Sequence, residues 1–564
     1  MAKTISLWSI IGTLLLLAMA CDPEEPRPDP KLILSFEEVF FSHEGEAQEV
    51  EVNANLPWQA SSSETWCTLS APSGEAGVAQ LAINVAANTG AESRSATITV
   101  SIDQVTKNIT VTQAGAEVLQ LSDSEMEIGE NGGEYTLGVT ASGIFEIETS
   151  PTWLTVSATS QQELQIQAKR NPVLAAREGI VRLKLGGVVQ EVTVVQSGQA
   201  LQVAPDKMGM ELDALPLADQ ILLGWNLGNT LEAASSPEVA GETLWGNPMA
   251  SQALIDAVKN AGFNAVRIPC AWSGYIEDRE THRLSTAWIN RVQEVVDYCM
   301  NNDMYAIINI HWDGGWLEEN PTYDKQEEVN VKMKALWEQI AVAFRDYDQR
   351  LLFAGTNEVR KDYGTPTSEY IEVQQSFNQT FVDAVRSTGG KNSWRNIVVQ
   401  AYNTNIEHAH NFLELPQDPT PNRKMVEVHY YDPWDFALDG NSNKYLWGKD
   451  YEGSANASGW GQEAWVDQMF GLMKSDFVDK GIPVVLGEYG AILRSSLLSV
   501  ALENHKKARN HYLHYVTKSA MEHGLIPFYW DNGHTGNNGF GLFNRHTTAI
   551  VQADAVEAIV SSLD

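Results

Sequence analysis

The alternation of apolar and polar residues changes along the chain and divides it into three regions. Leu7 to Ala20 form an almost uncharged run, too short to span a bilayer as a helix but typical of a signal-peptide core. Residues 32–200 contain stretches of period two separated by Gly, Asn and Ser, which predict β-strands. From Leu201 onward, short apolar runs alternate with longer amphipathic segments, which predicts βα units and a parallel sheet.

The alternating region contains two copies of one unit. Residues 88–115 align without gaps to residues 171–198, and the identical positions include Asn88 and Asn171, Arg94 and Arg177, Gln113 and Gln196, and Gly115 and Gly198. A tandem repeat with period-two patterning predicts two all-β immunoglobulin-like sandwiches, at residues 32–115 and 116–200.

The two units also share an ending and an upstream Trp. The endings are T-V-T-Q-A-G and T-V-V-Q-S-G, and the Trp residues are Trp66 and Trp153. These features resemble the BACON domain, which often precedes catalytic domains in bacterial glycan-degrading lipoproteins. The resemblance implies an immunoglobulin-like sandwich and, through the family's name, carbohydrate binding. We expect both Trp side chains to anchor the cores and the sandwiches to act as a spacer; a sugar-binding platform is the alternative.

The region after Leu201 contains eight apolar runs that predict strands. They are Ile221–Asn226, Ala265–Ile268, Tyr305–Ile310, Leu351–Ala354, Ile397–Gln400, Met425–His429, Pro483–Gly487 and Ile526–Trp530. Amphipathic segments such as Ala253–Ala261 and Trp337–Arg345 lie between them and predict helices. This pattern predicts an α/β fold, a (β/α)8 TIM barrel over residues 205–564, which follows the two sandwiches.

Polar side chains stand at the carboxyl end of nearly every predicted barrel strand. They are Asn226 with Asn229, Arg267, His311, Asn357 with Glu358, Tyr402, His429 with Tyr431, Glu488 and Trp530. A TIM barrel builds its active site at this end, so we expect these side chains to converge. Two carboxylates, Glu358 and Glu488, can then face each other across the barrel mouth. Glycosidic bond cleavage uses such a pair, separated by roughly 5–5.5 Å in a retaining mechanism.

Composition narrows the classes of function. The chain has 564 residues, with 38 Lys and Arg against 73 Asp and Glu, and a formal net charge of −35. Because this charge repels phosphate backbones, we expect no nucleic acid partner. The sequence has no H-E-x-x-H motif and no G-x-S-x-G elbow, which argues against a zinc hydrolase and a serine hydrolase. We therefore expect neither a metal nor a cofactor.

Seven motifs follow the predicted strands in chain order. They are G-W-N-L-G-N-T at 224–230, R-I-P at 267–269, I-N-I-H-W-D at 308–313, G-T-N-E at 355–358, V-H-Y-Y at 428–431, L-G-E-Y-G at 486–490 and F-Y-W-D at 528–531. Together they resemble glycoside hydrolase family 5. The opening motif and W-G-N-P at 245–248 resemble subfamily 4, the endo-β-1,4-glucanases and xyloglucanases. The chain differs from the usual family pattern at Val359, commonly Pro, and at Glu232, often Asp.

The resemblance implies a retaining, endo-acting hydrolase of β-1,4-linked glucans such as cellulose, mixed-linkage glucan or xyloglucan, in plant polysaccharide degradation. It implies Glu358 as the acid/base and Glu488 as the nucleophile. The remaining expected substrate-site residues are Asn229, Arg267, His311, Trp312, Asn357, His429, Tyr431 and Trp530. Two alternatives stay open: an endo-β-1,4-mannanase or xylanase on the same barrel, and a non-catalytic surface glycan-binding lipoprotein.

Several of these residues have a more specific implied role. Asn357 would hydrogen-bond the sugar 2-hydroxyl, and Arg267 and Tyr431 would contact the nucleophile. His311 and His429 would bind substrate hydroxyls or orient the acid/base, and Trp530 would form the floor under the sugar being cleaved. Other aromatics in the loops, such as Trp312 and Trp316, are candidates for stacking on the polymer.

The N-terminal residues predict export and anchoring. Leu17-Ala18-Met19-Ala20-Cys21 resembles a bacterial lipobox, which implies a signal peptide over residues 1–20 and a lipid on Cys21. Residues 21–31 are rich in Pro and predict a tether. The acidic residues that follow Cys21 resemble the signal that sends some Gram-negative lipoproteins to the outer face of the outer membrane. We expect a monomer that contacts the membrane only through this lipid; a plain secretory signal is the alternative.

Overall fold

The computed structural model describes residues 28–160 and 162–563. The predicted signal peptide and Cys21 lie outside the described residues. Within those two ranges, no helix combines the length and the apolar character needed to cross a bilayer.

The first nine strands form a sandwich of two sheets. The strands are β1 Leu32–Leu34, β2 Glu38–Phe41, β3 Ala47–Ala54, β4 Trp58–Ser62, β5 Cys67–Leu69, β6 Ser73–Gly74, β7 Gly77–Val85, β8 Arg94–Ile102 and β9 Val105–Gln113. One sheet has the order β1-β3-β7-β5 and the other β2-β9-β8-β4-β6. Alternate side chains of both sheets are fully buried between them, as the period-two pattern predicts: Val50, Val52, Leu81, Ile83, Ile98, Val100, Ile109 and Val111.

The next eight strands form a second sandwich of the same kind. They are β10 Leu119–Leu121, β11 Glu125–Ile128, β12 Gly133–Ala141, β13 Glu146–Thr149, β14 Leu154–Ser160, β15 Glu163–Ala168, β16 Arg177–Leu185 and β17 Val188–Gln196. Its sheets have the orders β10-β12-β15-β14 and β11-β17-β16-β13. The predicted pair of all-β units is thus confirmed.

The side chains that the repeat keeps identical make the same hydrogen bonds in both sandwiches. Gln113 accepts a hydrogen bond from Arg94 at 2.9 Å and donates to two main-chain carbonyls. Gln196 accepts from Arg177 at 2.8 Å and also donates to the main chain. Both Gln side chains are fully buried. The repeat therefore preserves internal bonds that tie loops to strands.

The two Trp residues predicted as core anchors are only partly buried, so that prediction is wrong in detail. Trp66 lies in the turn before β5 and packs against the core from its edge, with the Arg94 guanidinium 4.3 Å above its ring. Trp153 lies in the corresponding turn before β14. The fully enclosed Trp of the first sandwich is Trp58 in β4, which is 2% exposed. A turn position leaves each ring only partly covered by the sheets.

The remaining strands form a closed parallel barrel and two small hairpins. In chain order they are β18 Gly224–Leu227, β19 Ala234–Ser236, β20 Val239–Ala240, β21 Ala265–Ile268, β22 Ile276–Asp278, β23 Arg283–Leu284, β24 Tyr305–Asn309, β25 Leu351–Ala354, β26 Ile397–Gln400, β27 Lys424–Tyr430, β28 Val484–Tyr489 and β29 Leu525–Asp531. The barrel order is β18-β21-β24-β25-β26-β27-β28-β29. All eight predicted strands are present, and the (β/α)8 prediction is confirmed.

Ten α-helices lie in the barrel region. They are α1 Ala214–Ala218, α2 Gln252–Asn260, α3 Thr286–Met300, α4 Tyr323–Ala343, α5 Ser368–Ser387, α6 Ile406–Phe412, α7 Trp434–Ala437, α8 Glu463–Asp476, α9 Ser499–Glu522 and α10 Ala553–Val560. Two boundaries differ from the sequence prediction by more than two residues. The first barrel strand begins at Gly224, because Ile221 packs with α1 and Leu222 is exposed. Helix α4 begins well before Trp337.

The barrel interior has an apolar layer followed by a polar one. The apolar layer includes Ala265, Ile307, Val398 and Met425, which pack with residues of α1. Two residues further along the same strands, and so on the same side, the chain has Arg267, Asn309, Gln400 and Glu427. All four polar side chains are fully buried. The barrel therefore presents a dry polar layer directly beneath its carboxyl-terminal mouth.

The shared hydrogen bonds of the sandwiches generate a stability prediction. We expect Gln113→Ala to reduce the free energy of unfolding of the first sandwich by about 1–3 kcal/mol, because it leaves buried partners unpaired. Hydrogen–deuterium exchange of the full chain should show faster exchange across residues 32–113. The exposed neighbour variant Thr110→Ala should not change it. Equal exchange in the Gln113→Ala variant and the unaltered protein would contradict this role.

Candidate active site

The two predicted glutamates meet at the mouth of the barrel. Glu358 follows β25, and Glu488 lies in β28. An oxygen of one carboxylate lies within 4.8 Å of an oxygen of the other. Glu488 is 5% exposed, while the Glu358 side chain is 26% exposed. This separation suits a mechanism in which one carboxylate attacks the sugar and the other transfers a proton on the same glycosidic bond.

Both oxygens of Glu488 are held by donors. Arg267 donates from Nη1 to Oε1 at 2.9 Å, and the Tyr431 hydroxyl donates to Oε2 at 3.0 Å. The same guanidinium donates to Asn226 at 3.0 Å and to Asn357 at 2.8 Å. Burial keeps the pKa of Glu488 above its ordinary value, although His429 and Arg267 both act to lower it. The position of this carboxylate is therefore fixed from several strands.

Glu358 is paired with a histidine. His429 Nδ1 lies 2.8 Å from Glu358 Oε1, and Arg360 Nη1 lies 3.7 Å from Oε2. Burial acts to raise the pKa of Glu358, but the hydrogen bond and charge of His429, together with the charges of Arg360 and Arg267, lower that pKa below its ordinary value. In the free cleft, the proton of this pair therefore lies on His429, within hydrogen-bond distance of the carboxylate.

His429 is surrounded by carboxylates. Its Nε2 lies 3.3 Å from Glu427, and its Nδ1 lies 3.8 Å from Glu488 in addition to the bond with Glu358. Burial alone would lower the pKa of His429, but these charges raise it to about 10. The ring is thus an imidazolium that donates from both nitrogens.

Glu358, His429 and Glu488 form the one cluster of described residues whose ligand atoms are close enough for a metal ion. The donor set does not fit a metal. A metal would need a lone pair on an imidazole nitrogen, whereas the raised pKa of His429 favours a proton on each nitrogen, and both nitrogens face carboxylates. The cluster is better described as an ion-pair network.

A cleft of about 810 Å³ runs past this network. Its lining includes the predicted residues His311, Trp312, Asn357, Glu358, His429, Tyr431, Glu488 and Trp530. Trp530 and His311 are nearly parallel, with ring centroids 5.9 Å apart. The ring of Trp312 packs against that of Trp245, with ring centroids 6.2 Å apart. Flat rings of this kind offer faces on which sugar rings can stack.

His311 has a defined protonation state. Burial, together with the charges of Arg267 and His429, lowers its pKa well below the ordinary value, so the ring is neutral. The amide Nδ2 of Asn309 lies 3.1 Å from Nδ1 of His311, and the amide oxygen of Asn309 accepts from a backbone N–H. Because Asn309 must donate to Nδ1, the ring proton is assigned to Nε2. His311 can therefore donate a hydrogen bond to a sugar hydroxyl.

Besides Arg267, which contacts Glu488 and does not line the cleft, two further residues predicted to contact substrate, Asn229 and Trp316, are not in the cleft lining. Asn229 has a left-handed backbone, with φ of 56°, and its N–H donates to Glu232, so it shapes the loop after β18. Trp316 donates to Asp313 at 2.7 Å and lies under the Lys332 ammonium at 4.0 Å. Both residues support loops beside the cleft.

Three charged residues that the sequence analysis did not single out belong to the site, namely Glu318, Arg360 and Glu427. Glu318 accepts from the Asn357 amide at 3.2 Å and from the Glu358 N–H at 3.3 Å, and it is paired with Arg360. Burial and the neighbouring Glu358 raise the pKa of Glu318 to about 7. The third is Glu427, beneath His429. A charged residue inside the otherwise apolar run Met425 to Val428 was the available signal for it.

Known families match both parts of the chain. Residues 230–536 match the family described as Cellulase (glycosyl hydrolase family 5). Residues 56–114 and 143–197 match the BACON family, described as a putative binding domain. These matches agree with the motifs identified in the sequence.

Relatives extend the similarity over most of the chain. A protein of Bacteroides ovatus named xyloglucan-specific endo-β-1,4-glucanase is 38% identical over 458 residues, which cover 78% of this chain and 90% of the relative. Endoglucanase A of Paenibacillus barcinonensis is 38% identical over 369 residues, covering 62% of this chain and 90% of the relative.

Solved structures give the same result. The structure of a Bacteroides ovatus GH5 xyloglucanase in complex with a XXXG heptasaccharide superposes with a TM-score of 0.62 at 34% identity, covering 95% of this chain and 100% of that chain. A GH5-4 broad specificity endoglucanase from Bacteroides salanitronis gives 0.58 at 38% identity, covering 62% and 94%. The chain is therefore an endo-acting hydrolase of β-1,4-linked glucans that belongs to glycoside hydrolase family 5.

Proposed function

We propose that the chain cleaves the β-1,4-glucan backbone of xyloglucan, with Glu488 as the nucleophile and Glu358 as the acid/base. The observation that carries the assignment is the contrast between the two carboxylates. Glu488 is buried and held by Arg267 and Tyr431, whereas Glu358 is more exposed and bonded to a histidine that carries a proton. A nucleophile needs a fixed anion, and an acid/base needs access to a proton and to solvent.

The proposed reaction has two steps. In the first, Glu488 attacks the anomeric carbon while Glu358, protonated through His429, gives its proton to the leaving oxygen. In the second, Glu358 takes a proton from water, which attacks the same carbon and releases Glu488. Asn357 can donate to the sugar 2-hydroxyl, because its amide oxygen accepts from Arg267 and its NH2 group gives only one of its two hydrogens to Glu318. Trp530 provides the apolar face under that sugar.

Two kinds of support favour xyloglucan over unbranched glucan, mannan or xylan. The Bacteroides ovatus relative, which spans both the BACON and the barrel regions, is named as specific for xyloglucan. The cleft lining also extends beyond the glutamates and includes Tyr363, Asn403, Asn405, Trp434 and Leu438. A cleft of about 810 Å³ with this lining suits a backbone that carries branch sugars.

We also propose that Cys21 is lipid-modified and that the enzyme faces outward from the outer membrane. The support is the lipobox-like Leu17 to Cys21 followed by acidic residues. A lipid on the N-terminal residue and a Pro-rich tether would hold the enzyme at the surface, where polymers too large to enter the cell are available.

Azide rescue should distinguish the two glutamates. We expect Glu358→Ala and Glu488→Ala each to lower hydrolysis of xyloglucan by several orders of magnitude. With an activated aryl cellobioside, azide should restore turnover of Glu358→Ala and yield the β-glycosyl azide, since Glu488 still forms the intermediate. In Glu488→Ala, azide should enter directly from the opposite face and yield the α-azide. The reverse pattern would exchange the two roles, and near-normal hydrolysis in either variant would overturn the assignment.

A polymer panel should identify the substrate. We expect kcat/KM on xyloglucan to exceed that on mixed-linkage glucan, carboxymethylcellulose, mannan and xylan. Tyr363 lines the cleft and is 76% exposed, so Tyr363→Ala should reduce activity on xyloglucan more than on mixed-linkage glucan. Tyr363→Phe, which keeps the ring, is the matched control and should retain most activity. A preference for an unbranched polymer would contradict the proposal.

Metabolic labelling should test the anchor. A lipid precursor should label the unaltered protein expressed in a Gram-negative host, and Cys21→Ala should abolish the label. Neutralising Asp22, Glu24 and Glu25 should keep the label but reduce the fraction of protein that external protease digests. An unlabelled unaltered protein would refute lipidation, and unchanged digestion would refute the acidic address.

A further inference from the structure

A carboxylate with no solvent exposure lies beneath the two catalytic glutamates. Glu427 is in β27, two residues before His429, and is fully buried. Its Oε1 forms an ion pair with Arg267 Nε at 2.8 Å and lies 3.3 Å from His429 Nε2, while Oε2 accepts from Gln400 at 2.6 Å. Burying a carboxylate costs free energy unless such partners replace the hydrogen bonds that it made with water.

The surrounding backbone leaves room for this carboxylate. Gly487 directly precedes Glu488, and a Cβ placed on Gly487 would lie only 2.0 Å from Glu427 Oε1. Gln400 is itself fixed, because its oxygen accepts from the N–H and the hydroxyl of Thr356 at 2.9 and 3.0 Å. Thr356 lies just before the acid/base segment. Glu427 is therefore connected to the strands that carry both glutamates.

Glu427 contacts the two cations that serve these glutamates. Arg267 bridges Glu427 and Glu488, with ion pairs of 2.8 and 2.9 Å. His429 bridges Glu427 and Glu358, through its two different nitrogens. When the proton of the Glu358–His429 pair lies on His429, two cations face three carboxylates, so this network carries one net negative charge. That excess negative charge favours keeping the proton on the pair.

We propose that Glu427 is a positioning residue that retains a proton on the Glu358–His429 pair, so that Glu358 can act as an acid at neutral and mildly alkaline pH. The proposal rests on the acid/base role proposed for Glu358. The physical reason is that a fixed anion at His429 Nε2 stabilises the imidazolium. When a sugar oxygen binds, that proton moves along the 2.8 Å hydrogen bond to Glu358. No bond to Glu427 is made or broken.

The sign of the effect follows from the charges around the pair. The ionisable groups that face His429 are Glu358 after β25, Glu488 in β28, Glu427 in β27, Arg267 in β21, neutral His311 after β24 and the Tyr431 hydroxyl. Glu358 is also faced by Arg360 and Glu318, which form an ion pair with each other. Of the two buried anions that face His429, only Glu427 has no part in the reaction. Its neutralisation removes a negative charge beside the pair, and this lowers the pKa at which the pair loses its last proton, whichever member holds it.

The test is the pH dependence of kcat/KM in Glu427→Gln, which keeps the shape and removes the charge. We expect the alkaline limb for xyloglucan to move to lower pH by about one unit or more. Glu427→Asp keeps the charge and should retain the limb at its original position even if its rate falls. A lower rate in Glu427→Gln with an unmoved limb would mean a merely structural role and would overturn the proposal.

An aryl cellobioside with a good leaving group gives an internal control. Its first step needs no acid, so the Glu427→Gln shift should be absent for that substrate. A shift of equal size with both substrates would overturn the proposal. The two proposals can fail separately. If azide rescue assigned the acid/base role to Glu488, the proposed function would fail. If azide rescue gave the expected products but the alkaline limb did not move in Glu427→Gln, only the role of Glu427 would be overturned.

The protonation of His429 can also be read directly. In the unaltered protein, 15N NMR of the imidazole should report both ring nitrogens protonated at pH 8. A single neutral tautomer at that pH would overturn the proposal. This measurement does not depend on whether Glu427→Gln folds. Asp418→Asn is the matched control, since Asp418 is a buried carboxylate paired with Arg386 at 2.8 Å in another part of the barrel region. It should leave both the His429 signals and the pH profile unchanged; a shift equal to that of Glu427→Gln would contradict a local effect.

Discussion

The guanidinium of Arg267 is buried without any solvent exposure, and the geometry of the site depends on how its charge is compensated. Two carboxylates, Glu427 and Glu488, lie 2.8 and 2.9 Å from it, and it also donates to Asn226 and Asn357. Removing one partner from a buried ion pair typically costs about 3–5 kcal/mol, because the other charge stays uncompensated. The network therefore holds residues from four strand ends in one arrangement.

The barrel interior offsets the free-energy cost of burying this network, because apolar burial and charge pairing occur in two separate layers. The apolar layer, which includes Ile307, Val398 and Met425, provides burial at the closed end. The polar layer above it contains charges whose partners come from other strands of the barrel, including strands on the opposite side. Because each polar side chain is fixed by another, the carboxylates reach the cleft already oriented, and little reorganisation is needed when substrate arrives.

Much of this arrangement could be predicted from the sequence, since closed parallel barrels bring strand ends together and motifs mark Glu358 and Glu488. Other features had no periodic signal. Glu318 lies in an irregular loop, and its contact with Glu358 depends on how that loop folds. Trp66 and Trp153 share the apolar character of core residues, but their turn positions leave them partly exposed. The sandwiches also show that a repeated polar residue can be structural, as the bonds of Gln113 and Gln196 demonstrate.

The central claim is that Glu358 and Glu488 lie close enough for one to form a covalent bond with the sugar while the other transfers the proton. Proton NMR of the first products of cello-oligosaccharide hydrolysis tests this directly, because the reducing-end anomers have separate signals. Two displacements at one carbon retain its configuration, so the β-anomer should appear first and the α-anomer only later, by mutarotation. Initial appearance of the α-anomer would contradict the claim.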